Sequence, residues 1–363
     1  MIDAGKIAPR VVGPVRPRAR FGWIYGPGWD LLIALCWVPF FLAAHVLTVR
    51  HGVENDHILS NLFNAAFLLS LLHQPLTLAL VYGDKNQFAL RRKVFTWGPL
   101  GVIALISTAL YLNLWIVIPI AATWNTIHTL QQRYGLSRIY SRKAGFGSTF
   151  LDRWTLYAWL VAAILVAGST ASTLAQLARV MLDSPNAAPV RDLASVRPYA
   201  VWLLVPAAVI AVVLLAGLVR QEAEHVEEAN RAKWIYQASS LVLIATIAFD
   251  PLAGFIAYIA SHAIEYFIVV YKTMESRYGR TPDRSTFLGR VARTTTGRVA
   301  FFAAFGLVVW AMDTKFNQWL PGRSYYITLY TAGMLHFWYD SFIWKLRKPA
   351  VAANFGIQTA PVG

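Results

Sequence analysis

Charge is scarce in this chain. Only 14% of its 363 residues are Asp, Glu, Lys or Arg, and 57% are hydrophobic; soluble domains carry about 25% charged residues. A soluble core of this size needs more charge to cover its surface, so the composition reads as a polytopic membrane protein. A cytosolic enzyme, a fibrous protein and a disordered chain are excluded. Long polar stretches are also lacking. The two longest, residues 1–28 and 273–297, are too short to fold alone without metal or disulfides. Cys36 is the single cysteine, so no internal disulfide can form. Acidic residues are few, 18 against 33 Lys and Arg, for a net charge of +15. With no soluble domain to carry a basic groove, nucleic acid is excluded as a partner. Basic cytoplasmic loops of a membrane protein account for the excess.

A membrane span needs about 20 mostly apolar residues. Ten such segments are predicted: 29–49, 58–82, 94–110, 112–132, 154–178, 198–220, 234–249, 251–272, 299–316 and 324–344. The joints at Tyr111 and at Asp250-Pro251 are short, and each flanking pair could instead form one long or re-entrant element. If the N-terminus is inside and the spans alternate, 27 of the 33 Lys and Arg fall in inner segments and 6 in outer ones. That split predicts an all-α bundle of ten spans with both termini cytoplasmic, in a bacterial-type inner membrane. Three regions are expected: a basic segment over 1–28, a transmembrane domain over 29–344 and a C-terminal tail over 345–363. The first span is too long for a cleaved signal and is expected to stay as an anchor.

Eight histidines are present. His51, His57 and His225 fall in predicted loops, and His45 lies near the outer end of the first span. His73, His128, His262 and His336 lie inside the second, fourth, eighth and tenth spans. All four of those spans run from outside to inside. At 1.5 Å rise per residue, the four imidazoles occupy one slab, at or somewhat below the midplane on the cytoplasmic side. Each has polar company on its helix face: Ser70 and Thr77 for His73; Asn125, Gln131 and Gln132 for His128; Tyr258, Glu265 and Tyr266 for His262; Tyr339 and Asp340 for His336. Ionisable groups at this depth are expensive and mark functional sites by default. Neutral imidazole is the commonest ligand of iron, zinc and copper, and its free N–H is usually held by a carboxylate or carbonyl. The pattern points to a buried metal centre with His73, His128, His262 and His336 as ligand candidates. Glu265, Tyr266 and Asp340 are the candidate catalytic groups. A proton-relay or transport path, and a bis-histidine b-type haem, use the same residue types.

Familiar signatures are lacking. No two histidines lie within four residues of each other, unlike the histidine boxes of membrane desaturases. H-E-x-x-H, C-x-x-C-H, a P-loop and G-x-S-x-G are all absent. The order of the histidine segments resembles instead the Brp/Blh family, the bacterial integral-membrane, iron-dependent dioxygenases that cleave beta-carotene. The similar segments are Leu71-Leu72-His73-Gln74-Pro75-Leu76, Ile127-His128-Thr129, Ser261-His262-Ala263-Ile264-Glu265-Tyr266, and His336 followed by Asp340. Where the family's third segment has a second histidine, this chain has Tyr266, with Glu265 beside it. Glu265 or His336 would then complete the ligand set. The resemblance implies non-haem Fe(II) with open positions for dioxygen. It also implies a long apolar substrate, such as a carotenoid, another isoprenoid or a fatty acyl chain, entering laterally from the bilayer.

Overall fold

The computed structural model describes residues 21–51, 56–114, 117–170, 197–279, 285–319 and 322–357. Among these residues every regular element is helical. In chain order they are α1 (Pro27–Leu35), α2 (Trp37–His51), α3 (Asp56–His73), α4 (Leu76–Tyr82), α5 (Lys85–Ala89), α6 (Arg92–Tyr111), α7 (Val117–Ala144) and α8 (Thr149–Ser169). Then follow α9 (Arg197–Glu224), α10 (Arg231–Phe249), α11 (Pro251–Met274) with a π-helical turn at Glu275–Gly279, α12 (Phe287–Val291), α13 (Thr295–Trp319), α14 (Arg323–Ile343) and α15 (Pro349–Asn354).

Local chemistry explains where these helices begin and break. Asp84, Ser148, Asn230, Asp250 and Thr286 each cap a helix by accepting backbone N–H bonds. Pro251 follows its cap at the first turn, where a missing N–H costs nothing. Pro75 separates α3 from α4, because proline cannot donate to a helix interior, so the predicted span 58–82 is bent just after His73. Only Asp250 separates α10 from α11. The two helices return on each other so closely that a Cβ on Gly254 would meet the Thr246–Ile247 backbone at 2.6 Å.

Among the described residues, eight helical segments are long and apolar enough to cross a membrane. Two further long helices are less apolar. They are α7, with 28 residues, and α14, with 21. Both carry histidines and other polar groups of the slab, which lowers their hydropathy. The predicted span at 112–132 is realised as a helix that starts later and runs to Ala144. Residues 171–178 of the predicted fifth span, Arg179 and Arg191, residues 1–20 and 358–363, and the side chains of His51 and His57 lie outside the described residues.

Burial orders the bundle. The segment built on α11 is 83% buried, whereas those built on α9 and α13 are 11% buried. α11 is therefore the central post, with α1, α2, α3, α7 and α10 packed against it. α9 leans on α8 and turns its other face outward, with Trp202 82% exposed. Outward faces made of Val, Leu, Ile and Trp suit hydrocarbon, where no water is available to the backbone.

The loops sort to two ends. At one end, Asn230 pairs with the Gly22 backbone and donates to the Tyr140 carbonyl. Arg142 and Lys143 donate to the Leu346 and Phe355 carbonyls. Asp84 accepts from Tyr278 and pairs with Arg277, and Leu288 N–H donates to the Gly83 carbonyl. At the other end, Arg323 reaches Asn113 and Arg197 reaches the Ser169 carbonyl. The described parts of both flanking segments pack into the bundle. Ile24, Ala352, Phe355 and Ile357 form one cluster with Leu136, Tyr236 and Val269. Residues 345–357 are therefore a folded element, because α15 and its flanks are apolar enough to bury.

Candidate metal centre

Four helices bring one histidine each to the same point. His73 is the last residue of α3, immediately before the Pro75 break. His128 lies mid-way along α7, His262 at the middle of α11, and His336 two turns before the end of α14. The imidazoles form a closed ring. Centroids stand 4.6 Å apart for His73–His262, 4.8 Å for His73–His336, 4.8 Å for His128–His336 and 5.2 Å for His128–His262. Each neighbouring pair is nearly perpendicular, at 87°, 84°, 75° and 84° in the same order. The rings cross edge-to-face instead of stacking.

The donor atoms fit a cation. One donor atom each from His73, His262 and His336 lies within 4.8 Å of the others, and so does one each from His128, His336 and Asp340. Nitrogens bound to a first-row metal at 2.0–2.1 Å stand about 3 to 4 Å apart, so small side-chain rotations would complete a coordination sphere. Both ring nitrogens of His262, and Nε2 of His128 and His336, are buried without a hydrogen-bond partner, and the ring nitrogens of His73 meet only the Leu69 and Ser70 carbonyls of its own helix. An unsatisfied buried polar group costs about 1–3 kcal/mol. Four of them would cost roughly 4–12 kcal/mol, a large part of the stability of a domain. A metal ion held by His73, His262 and His336 would take one lone pair from each of those rings and relieve part of that cost.

Asp340 supplies the anionic donor. It stands at i+4 from His336, and its Oδ2 lies 3.8 Å from Nε2 of both His128 and His336. Its Oδ1 is held by Thr77 Oγ1 at 2.8 Å and Tyr266 OH at 3.0 Å. Among the described residues, no Lys or Arg forms an ion pair with this buried carboxylate. A buried charge needs a partner, and a divalent cation is one.

Thr77 orders this side of the ring. Its hydroxyl donates to Asp340 Oδ1, which only accepts. The same oxygen therefore accepts from His336 Nδ1–H at 2.7 Å. With Asp340 ionised, that arrangement puts the His336 proton on Nδ1 and leaves Nε2 bare for the centre. Tyr266 OH lies 2.5 Å from Thr77 Oγ1, and its ring sits 5.2 Å from His73 and 5.1 Å from His336. Tyr266 thus buttresses two imidazoles and fixes the carboxylate.

Glu265 is placed elsewhere. Its carboxylate forms an ion pair with Arg133 and accepts from Gln132 and Tyr236. Three residues along a helix is a rotation 60° short of a full turn, enough to aim Glu265 past the ring toward α7 and α10. Arg133, 0% exposed, also donates to Ser240 and Ser261. The predicted span ends at residue 132 and so leaves Arg133 outside the membrane domain's candidate polar groups. α7 continues as a helix well past residue 132, so the arginine is carried inside the bundle. Of the other groups predicted to support the imidazoles, Asn125 Oδ1 is buried without a partner, and Gln132 donates to the His262 carbonyl. His45 is outside the ring, paired with Asp250 at 2.8 Å. His225 is exposed, its Nδ1 donating to the Gln221 carbonyl.

The ring is not equally closed on all sides. His73, His262 and His336 are 0–1% exposed, whereas His128 and Asp340 are each 8% exposed. A cavity of about 200 Å³ adjoins that side, lined by His128, Asp340 and Tyr266 and by apolar residues including Leu136, Phe337 and Trp344. No family model, curated protein or solved structure matches the chain.

Proposed function

We propose that this protein is an integral-membrane metalloenzyme, a non-haem iron oxygenase acting on an apolar, membrane-soluble substrate. The observation that carries this reading is the closed ring of four buried imidazoles with Asp340 beside it. Imidazole nitrogen plus one carboxylate is a donor set that suits iron, and the His128–Asp340 side is where further positions would remain open. Bound iron would supply dioxygen activation there. The chain's own part is to hold the donors, to fix the His336 tautomer through Thr77, and to keep bulk water from a site where reactive species form. The cavity beside His128 and Asp340 gives an apolar chain a place to lie. A carotenoid, another isoprenoid or a fatty acyl chain fits that description, and the resemblance of the histidine segments to the Brp/Blh dioxygenases adds to it.

The packing speaks against haem b. A macrocycle must slide between two facing histidines, and here each ring touches its neighbours across 4.6–5.2 Å. For the membrane setting we propose ten crossings, with α7 and α14 added to the eight apolar segments, and both termini in the cytoplasm of a bacterial-type cell. The support is that the Arg- and Lys-rich segments meet at one end of the bundle.

The test is a metal assay and absorption spectrum on the purified full-length protein, followed by oxygen uptake with isoprenoid and acyl substrates. Stoichiometric iron without a Soret band, with substrate-dependent oxygen uptake, is the expected result. A Soret band would establish haem, and a metal-free, folded protein would favour transport.

A further inference from the structure

The cleft beside the centre has a polar side that an all-hydrocarbon ligand would leave unused. It follows α7 from His128 past Gln131, Gln132 and Gly135 to Ile139, a run of about 16 Å at helical rise. Its opposite wall is the end of α14, with Ser341 and Trp344. Gln131 and Ser341 are exposed, so the cleft opens sideways between α7 and α14. Gln131 continues the outward face of α7 made by Ile120, Trp124 and Ile127. An amide on such a face, in a membrane protein, is costly unless it finds a polar partner. Trp344 Nε1–H is buried on the Asp340 and Tyr266 side of the cleft and makes no hydrogen bond of good geometry there. Ser341 spends its hydroxyl proton on the Trp338 carbonyl, which leaves its oxygen able to accept. The cleft therefore offers donors from Gln131 and Trp344 and an acceptor at Ser341, in a lining that also holds Asp340. The remaining wall is Leu136, Val269 and Phe337.

We propose that the ligand of this cleft is an apolar chain that ends in an oxygen function, a hydroxyl or carbonyl, bound by Gln131, Ser341 and Trp344 with the chain passing His128 and Asp340. This rests on the metal-centre reading for its purpose but not for its binding chemistry. The size of the cleft agrees. About 200 Å³ is below the 300–1,000 Å³ of sites that enclose a whole drug-sized ligand. It takes the end of a chain and leaves the rest in the lateral opening.

The experiment uses full-length protein in nanodiscs and two tritiated C20 isoprenoids of the same skeleton, geranylgeraniol and the corresponding hydrocarbon without oxygen. Binding constants are measured for the protein as it stands, for Gln131→Leu/Ser341→Ala and for Trp344→Phe. Metal content is assayed on every sample. The alcohol is expected to bind at least about tenfold more tightly than the hydrocarbon, the equivalent of one good hydrogen bond. The double variant should bring the two within about twofold, and Trp344→Phe should fall between. Equal affinities in the unsubstituted protein, or a preference that survives both variants, would overturn the proposal while leaving a metal-replete centre standing. A metal-free protein that still prefers the alcohol would sink the metal reading and keep this one.

Discussion

Thr77→Val is the sharpest probe of the centre, because valine matches threonine in shape and deletes one hydroxyl. That hydroxyl is the meeting point of His336 Nδ1 at 2.7 Å, Asp340 Oδ1 at 2.8 Å and Tyr266 OH at 2.5 Å. After the change, Asp340 Oδ1 keeps Tyr266, but His336 Nδ1–H is left buried with no acceptor. An unsatisfied group of this kind costs about 1–3 kcal/mol. It also releases the tautomer, so that either His336 nitrogen can carry the proton. Loss of a hydrogen bond that orients a ligand lowers metal affinity by about 10–100-fold, or about 1.4–2.8 kcal/mol, so the two estimates agree. The assay is competition with a chromophoric chelator on purified protein, alongside thermal unfolding in detergent. Thr77→Ser keeps the hydroxyl and should retain affinity within a few fold. If Thr77→Val binds metal as tightly as the unsubstituted protein, the assignment of Nε2 as the bare nitrogen is wrong.

Other expectations follow from the same geometry. Replacing His73, His128, His262 or His336 singly by Ala should remove most bound iron by elemental analysis. His225→Ala, an exposed site, should change nothing, and full metal content after all four buried replacements would end the metal reading. Asp340→Asn keeps the bonds to Oδ1 but loses the anion, and should weaken metal binding more than any change at Tyr266; equal or smaller weakening than Tyr266→Phe would count against Asp340 as a donor. Glu265→Gln should act on stability. It leaves Arg133 buried without its counter-charge, a loss of about 3–5 kcal/mol, with metal per folded molecule unchanged. Arg133→Met/Glu265→Met should recover much of that loss in a thermal melt, whereas loss of metal in the folded Glu265→Gln protein would return Glu265 to the ligand set. Reporter fusions after residues 88, 145 and 355 should all report cytoplasm, and one after 318 the opposite side; a reversal at 145 would break the alternation.

What could be read along the chain was whatever depends on neighbours in sequence. Apolar runs of helical length, the caps at Asp84, Ser148 and Asp250, and the break at Pro75 are local matters. The shared depth of His73, His128, His262 and His336 is also local arithmetic, since rise per residue is constant. That is why four residues spread over 264 positions could be proposed as one cluster before any contact was known. Helix limits were less legible. Residues 133–144 hold few apolar groups, chiefly Leu136, Ile139 and Tyr140, among four Arg and Lys, too few to mark a continued span, so a hydropathy window ends before Arg133.

The choice between two carboxylates needed the tertiary structure. Glu265 and Asp340 both follow a histidine by one turn, at i+3 and i+4, and spacing alone favours neither. α11 is enclosed on several sides, so a side chain 60° off the histidine face meets Arg133 on α7 and Tyr236 on α10. α14 turns Asp340 toward α4, where Thr77 and the α11 residue Tyr266 hold one oxygen and leave the other toward the ring. The sequence by itself determined that an all-helical, membrane-type chain would carry imidazoles at one depth, because helix period and hydropathy act residue by residue. Only the tertiary structure decided which carboxylate joins them, which hydroxyl sets the tautomer and which side of the ring stays reachable, because those depend on the rotation of each helix against neighbours far away in the chain.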